Sequence, residues 1–280
     1  PALFALAGGP VHAKARRLAD MTWLDARSAL SPDAVVVVPL GAEAKEHGPH
    51  LPLDTDLVQA NAFTARLVDA GEDVVVAPAL HYGFYPAFTE YPGSTSLTET
   101  TARDVVVDVV RSIARHGPRR FYVVNIGIST LKPLSQARAL LALDGVALTY
   151  FDLGSTAVDD VDKAVRTQRE GSHADEIETS IMLAIDPARV DMTRAAADFG
   201  AGHGKGPFTP DPNGARPSPT GIYGDATRAT ADKGRVVVDG YVAVMRADLA
   251  ALRASPPPAP ADVYGRVVPR ADRPVIPAKP

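Results

Sequence analysis

The segment "KEHGPHLPLDTD", Lys45 to Asp56, follows the apolar run "AVVVVPLG" and gathers Glu46, His47, His50, Asp54 and Asp56 around Pro49 and Pro52. Glu46, His47 and Asp56 place a carboxylate, an imidazole and a second carboxylate within eleven residues. Such a set can bind a divalent cation if the loop folds back, and the two prolines reduce the entropy lost in holding ligands still. Other uses stay open. Asp54 or Thr55 can cap the helix that begins near Asp56, Asp56 can complement that helix's dipole, and His50 can be a hydrogen-bonded core histidine.

A second constellation is "SHADEIETSIMLAI". Ile177, Ile181 and Ile185 recur every four residues as a buried stripe with Glu178 on its flank. His173 precedes Glu178 by five positions, about 140° of helical rotation, so the two cannot share one helix face. If both serve one site, His173 acts from the loop before the helix. Acidic residues in a first helical turn also serve simply as dipole complements. With no cysteine, disulfides, thiolate catalysis and cysteine-ligated zinc are excluded, and any metal must be held by His, Asp and Glu.

The elements that must position these residues are legible as short β-branched runs alternating with helical patterns. Residues 34–38, 73–78, 121–125 and 147–151 read as buried strands. "SLTETTARDVVVDVVRSIARHG" reads as a helix with Val105, Val106, Val109, Val110 and Ile113 on its stripe, and further helices are predicted at 56–69, 131–143, 174–185 and 230–253. The alternation predicts a three-layer α/β/α sandwich around a mainly parallel sheet, which binds ligands at the carboxyl ends of its strands. Glu46, His47 and Asp56 follow the first predicted strand and Asn125 ends the third, so both segments should meet at one rim.

The 280 residues suffice for a full core, with 46% hydrophobic and 22% charged residues. A formal net charge of −4 with scattered signs supplies no basic face for nucleic acid, and no apolar run approaches membrane-spanning length. Residues 1–17 read as an N-terminal arm or a signal-peptide remnant ending in the small-x-small Ala13–Ala15, residues 18–254 as the α/β domain, and 255–280 as a Pro-rich extended tail. A signal remnant would place the protein in the periplasm or outside the cell; an ordinary arm would leave it in the cytoplasm. Residues 200–225, rich in Gly and Pro, read as a long loop, a lid or an oligomer contact.

"VPLGAEAKEHGPHLPLDTD", "EYPGSTSL", "SHADEIETSIML" and "TGIYGDATRATADKG" together resemble, in order and spacing from about residue 18 to 253, the creatininase (creatinine amidohydrolase) family. The resemblance implies a frequently hexameric α/β/α enzyme whose two-metal centre of zinc, manganese or iron hydrolyses the carbon–nitrogen bond of a cyclic or linear amide; for this chain the expectation is one or two divalent ions per chain. His47 matches the first metal histidine, Asp56 the bridging aspartate, His173 the catalytic histidine and Glu178 its acidic partner. The family's Glu-x-His-Gly stands here as Lys45-Glu46-His47-Gly48. Glu46 can reach the ligand position only through a bulge, and Glu43 is the alternative.

Two departures accompany the agreement. Where the family carries Asn-Gly-His, this chain reads Asn125-Ile126-Gly127-Ile128-Ser129-Thr130, and "YPAF" (85–88) replaces a Ser-Glu-His. A ligand is lost, which argues for an altered, single-metal site and against creatinine itself as substrate. The expected set is then Glu46, His47 and Asp56 as metal ligands, His173 and Glu178 as catalytic groups, and Tyr82, Tyr85, Asn125 and Ser129 around a small amide substrate. The alternative is a catalytically silent family member acting as a binding or scaffold protein. A metal-free route through Ser129 or Thr130 with His173 lacks the Gly-x-Ser-x-Gly elbow.

Overall fold

The computed structural model describes residues 16–200 and 218–260. The expected arm before residue 16, most of the Gly/Pro loop (201–217) and the tail beyond residue 260 lie outside the described residues.

Five parallel strands form the central sheet in the order β1 (Arg16–Arg17), β3 (Val75–Val76), β2 (Val35–Leu40), β4 (Arg120–Asn125), β5 (Ala147–Tyr150). β2 and β4 pair along six residues, from Val35 opposite Arg120 to Leu40 opposite Asn125, so their carboxyl ends stop level with each other. The period-two alternation of β2 divides its valines between two cores. Val35 and Val37 pack with Phe63 and Leu67 of α2 (Thr55–Asp69) and with Val237 and Met245 of α7 (Ala231–Ala254). Val36 and Val38 face the other way, onto Val106 and Val110 of α3 (Glu99–Ala114) and Leu134 and Leu141 of α4 (Leu131–Leu143). Helices on both faces of a parallel sheet are the expected three-layer arrangement.

The departures from expectation are local. The second predicted strand shortens to Val75–Val76, with a single further bridge from Leu40 to Leu80. Helices α1 (Trp23–Ala29) and α5 (Thr156–Lys163) are additional. The stripe of α3 is rotated: Ala102, Val106, Val107, Val110 and Ala114 are buried, while Val105 and Val109 sit at its edge. The helix expected from residue 174 begins at Glu176 as α6 (Glu176–Ile185). Asp175 is its N-cap, accepting from the N–H groups of Ile177 at 3.0 Å and Glu178 at 3.1 Å. α6 packs against α7, and its inner residues Ile177 and Ile181 join the core that contains Tyr241.

Candidate active site and metal centre

The loop between β2 and α2 is folded against itself. Lys45 N–H donates to Leu53 O at 3.0 Å, and Gly48 takes a left-handed φ of +70°, where a side chain would collide with the His50 ring. That turn sends His47 inward, fully buried. Its Nδ1 donates to Lys45 O at 2.9 Å, which aims Nε2 at Asp56 Oδ1, 2.7 Å away in the first turn of α2. Glu178 Oε1 lies 3.8 Å from the same Nε2.

His173 arrives from the loop before α6, held by a bridge to Tyr223. The corner that turns it toward His47 is Ala174, buried and left-handed at φ 48°, a conformation that costs a non-glycine residue about 1 kcal/mol or more. Ala174 N–H donates to Glu178 Oε2 at 2.5 Å, so the glutamate braces the corner. His173 Nε2 donates to Glu46 O at 3.0 Å and faces Glu46 Oε2 at 3.2 Å, leaving Nδ1 3.5 Å from Glu178 Oε2. The His47 and His173 rings stand 5.1 Å apart, with Phe88 packed 4.5 Å behind His173.

Among the described residues, His47, His173 and Glu178 form the group whose ligand atoms all lie within 4.8 Å of one another. Two donors bound to one tetrahedral ion at roughly 2.0–2.1 Å are separated by roughly 3.3–3.4 Å. The 3.5 Å and 3.8 Å separations above approach that value. The hydrogen-bonding roles also call for a cation: a carbonyl oxygen accepts from Nδ1 of His47, yet Nε2 faces carboxylate oxygens as well. Charge gives the same answer. Glu46, Asp56 and Glu178 share the site with one ammonium, that of Lys45 on Asp56, and two negative charges remain for imidazolium protons or a divalent ion to balance. A single divalent ion therefore fits the His47, His173 and Glu178 donors.

The ionisations follow from the same neighbours. Burial alone would raise Asp56 and Glu178, but Lys45 and His47 hold Asp56 below the usual carboxylate range, and His47, His173 and Lys45 do so for Glu178. Burial opposes charge on His173, yet Glu46 and then Glu178 overcome it and raise its pKa. His50 is pushed down to about 4, chiefly by burial. With Nε2 2.8 Å from Thr179 Oγ1, it is the hydrogen-bonded core histidine that the sequence left open.

Several expected residues take other places. Glu46 and Asp56, expected beside His47 as metal ligands, lie outside the three-donor group: Glu46 Oε1 accepts from Gly48 N–H and its Oε2 faces His173, while Asp56 faces His47 Nε2 and the Lys45 ammonium. The Glu46 carboxylate fits because residue 221 is a glycine at φ +82°, where any side chain would overlap it. Glu43, the alternative, is exposed and paired with His81 at 2.8 Å. Asp54, at the N-cap of α2, makes no side-chain cap bond and pairs with Arg189 instead. Asn125 is buried but turned onto its own loop, donating to Gly127 O at 2.9 Å and accepting from Thr130 Oγ1. Ser129 donates to Phe84 O at 2.7 Å. Tyr82 is 55% exposed, whereas Tyr85 is buried with an unpartnered hydroxyl whose pKa burial raises.

Lys45 is the site residue that sequence reasoning passed over. Its Nζ is 2.8 Å from Asp56 Oδ2, close but off hydrogen-bonding direction, so the contact is ionic. A cavity of about 230 Å³ opens beside these groups, lined by Lys45, His173 and Glu178 together with Gln59, Asp162 and Arg166. The buried Gln59 Nε2 has no partner and is a donor available to a ligand.

Residues 19–249 match the family model described as Creatininase: Creatinine amidohydrolase. The chain belongs to the creatininase family. The creatinine amidohydrolase of Pseudomonas putida is 28% identical over 253 residues, 79% of this chain and 90% of that protein. The mycofactocin precursor peptide peptidase of Mycolicibacterium smegmatis is 32% identical over 206 residues, 71% of this chain and 78% of that one. In structure, a mutant creatininase complexed with creatine superposes with TM-score 0.69 and 25% identity, covering 85% of this chain and 99% of the other. A manganese creatininase superposes at TM-score 0.70 and 24% identity with the same coverage, evidence for the fold. The named relatives are an amidohydrolase and a peptidase, and this creatininase-family member is a hydrolase by that kinship. Among the described residues no helix is long and apolar enough to cross a membrane.

Proposed function

We propose that the protein hydrolyses an amide carbon–nitrogen bond with one divalent ion, zinc, manganese or iron, held by His47, His173 and Glu178. The observation that carries this reading is the convergence of those three side chains, from two loops and one helix, with His173 and Glu178 lining a cavity. A divalent ion held there would supply Lewis acidity toward the amide carbonyl and a lowered pKa for a neighbouring water. Glu46 fixes the tautomer of His173, keeping the proton on Nε2 and the Nδ1 lone pair toward Glu178. Phe88 packs at a tilt against His173, which is buried. The cavity, about 230 Å³, lies below the roughly 300–1,000 Å³ usual for drug-sized ligands and suits a small cyclic amide or the end of a longer one. The relatives' names, an amidohydrolase and a peptide peptidase, share this bond. Assembly into a homo-oligomer belongs with the reading and is checked by light scattering.

The test is metal content with activity. Purified protein should retain about one ion per chain, chelation should abolish turnover of a panel of lactams, formamides and short peptides, and His47→Ala should lose the ion. Retention of metal by His47→Ala would overturn the ligand set. His173→Gln that keeps the ion but loses turnover would reassign His173 from ligand to proton carrier. The silent-scaffold reading is favoured by the self-closed Asn125–Thr130 loop, and predicts no bound metal and no turnover.

A further inference from the structure

The residue two positions before His47, where the Glu-x-His pattern has its acid, is Lys45. No bulge brings Glu46 into that role, because the Glu46 carboxylate is engaged with Gly48 N–H and His173. Lys45 fills the place itself. Its side chain is 5% exposed, and its Nζ meets Asp56 Oδ2 at 2.8 Å while lying 5.4 Å and 5.1 Å from the ring centroids of Tyr85 and Phe88. Those rings come from the "YPAF" stretch that replaces the family's Ser-Glu-His. Aromatic faces attract an ammonium but offer a divalent ion no donor atom, so two separate departures in sequence meet in one arrangement. The backbone of Lys45 is pinned as well, its N–H to Leu53 O and its carbonyl to His47 Nδ1.

We infer that the Lys45 ammonium is a built-in cation standing in for a second metal ion. Asp56 is then its counter-ion, the site admits at most one divalent ion, and the ammonium lends the cavity the positive charge a second ion would bring. This inference rests on the one-metal reading above, and the experiment separates the two by measuring a difference between variants.

Wild type, Lys45→Glu and Lys45→Gln are each dialysed to equilibrium against excess Zn²⁺ or Mn²⁺ and their bound metal is measured by mass spectrometry. Melting temperature is followed with and without the ion. Lys45→Glu should bind about one ion per chain more than wild type and gain more in melting temperature from added metal, whereas Lys45→Gln should bind no more than wild type. An extra ion in Lys45→Glu supports the inference even if wild type binds none, an outcome that would sink the one-metal reading alone. Equal stoichiometry in Lys45→Glu and wild type overturns it. Two ions per wild-type chain also overturn it, and that measurement stands even if Lys45→Glu fails to fold.

Discussion

Two loops leave neighbouring strands at the same rim and spend their polar groups differently. The loop after β2 turns Lys45, Glu46, His47 and, at the start of α2, Asp56 toward one another and toward residues more than a hundred positions away. The loop after β4 turns Asn125 and Thr130 onto each other and onto Gly127 O, closing a neutral knot that asks for nothing further. The register of β2 and β4 brings both to equal height, so position in the fold does not separate them. The difference lies in charge: the first loop cannot be satisfied locally and must recruit counter-charges, while the second is complete by itself.

The sharpest way to break the contrast is Lys45→Met, which takes from the buried Asp56 carboxylate its ammonium and leaves it His47 alone. Loss of one partner from a buried ion pair costs about 3–5 kcal/mol, which for a domain of this size lowers the melting temperature by roughly 6–20 °C in thermal scans. A fall of only a degree or two would show that Asp56 has other support. Second, chelation of metal-loaded protein should remove about 3–4 kcal/mol of stability if the ion is supplied at 100- to 1,000-fold its Kd, and His47→Ala should show no metal-dependent shift in melting temperature. Third, Thr130→Val in the neutral loop should cost about 1–2 kcal/mol in denaturant unfolding, by stripping acceptors of their donor, and leave metal content unchanged. Altered metal content would show that the loops are coupled.

The smallest effect is expected at Asp162 in the cavity wall, whose pKa burial raises to about 6 against an unfolded value near 3.8. A raised carboxylate favours the fold fully below the unfolded pKa and loses that contribution as pH climbs through the folded one. Asp162→Asn, which keeps an acceptor for the Tyr241 hydroxyl at 2.7 Å, should therefore be more stable than wild type by about 1 kcal/mol at pH 8. The gap should close toward pH 4, as followed by melting temperature across that range.

The fold was legible because its signals are periodic. β2, β4, α2 and α4 fall within one or two residues of where valine runs and helical stripes put them. α5 was missed because eight residues with four acidic or basic side chains carry too little apolar pattern. In the candidate site, the sequence singled out His47, His173 and Glu178 and the need for His173 to reach in from outside the helix, but it cast His173 and Glu178 as catalytic groups and put Glu46 and Asp56 beside His47 as ligands. The direction of Glu46 was not: it depends on space beside Gly221, far along the chain. Lys45 was overlooked because a lysine is no metal ligand, and its burial is decided by rings forty residues distant.

The left-handed corner at Ala174 offers a window on all of this. Its amide hydrogen is held by the carboxylate that also faces both imidazoles. Whatever draws that carboxylate toward the cavity must loosen the amide, so the rate at which this single proton swaps with deuterium should report occupancy without any substrate being known.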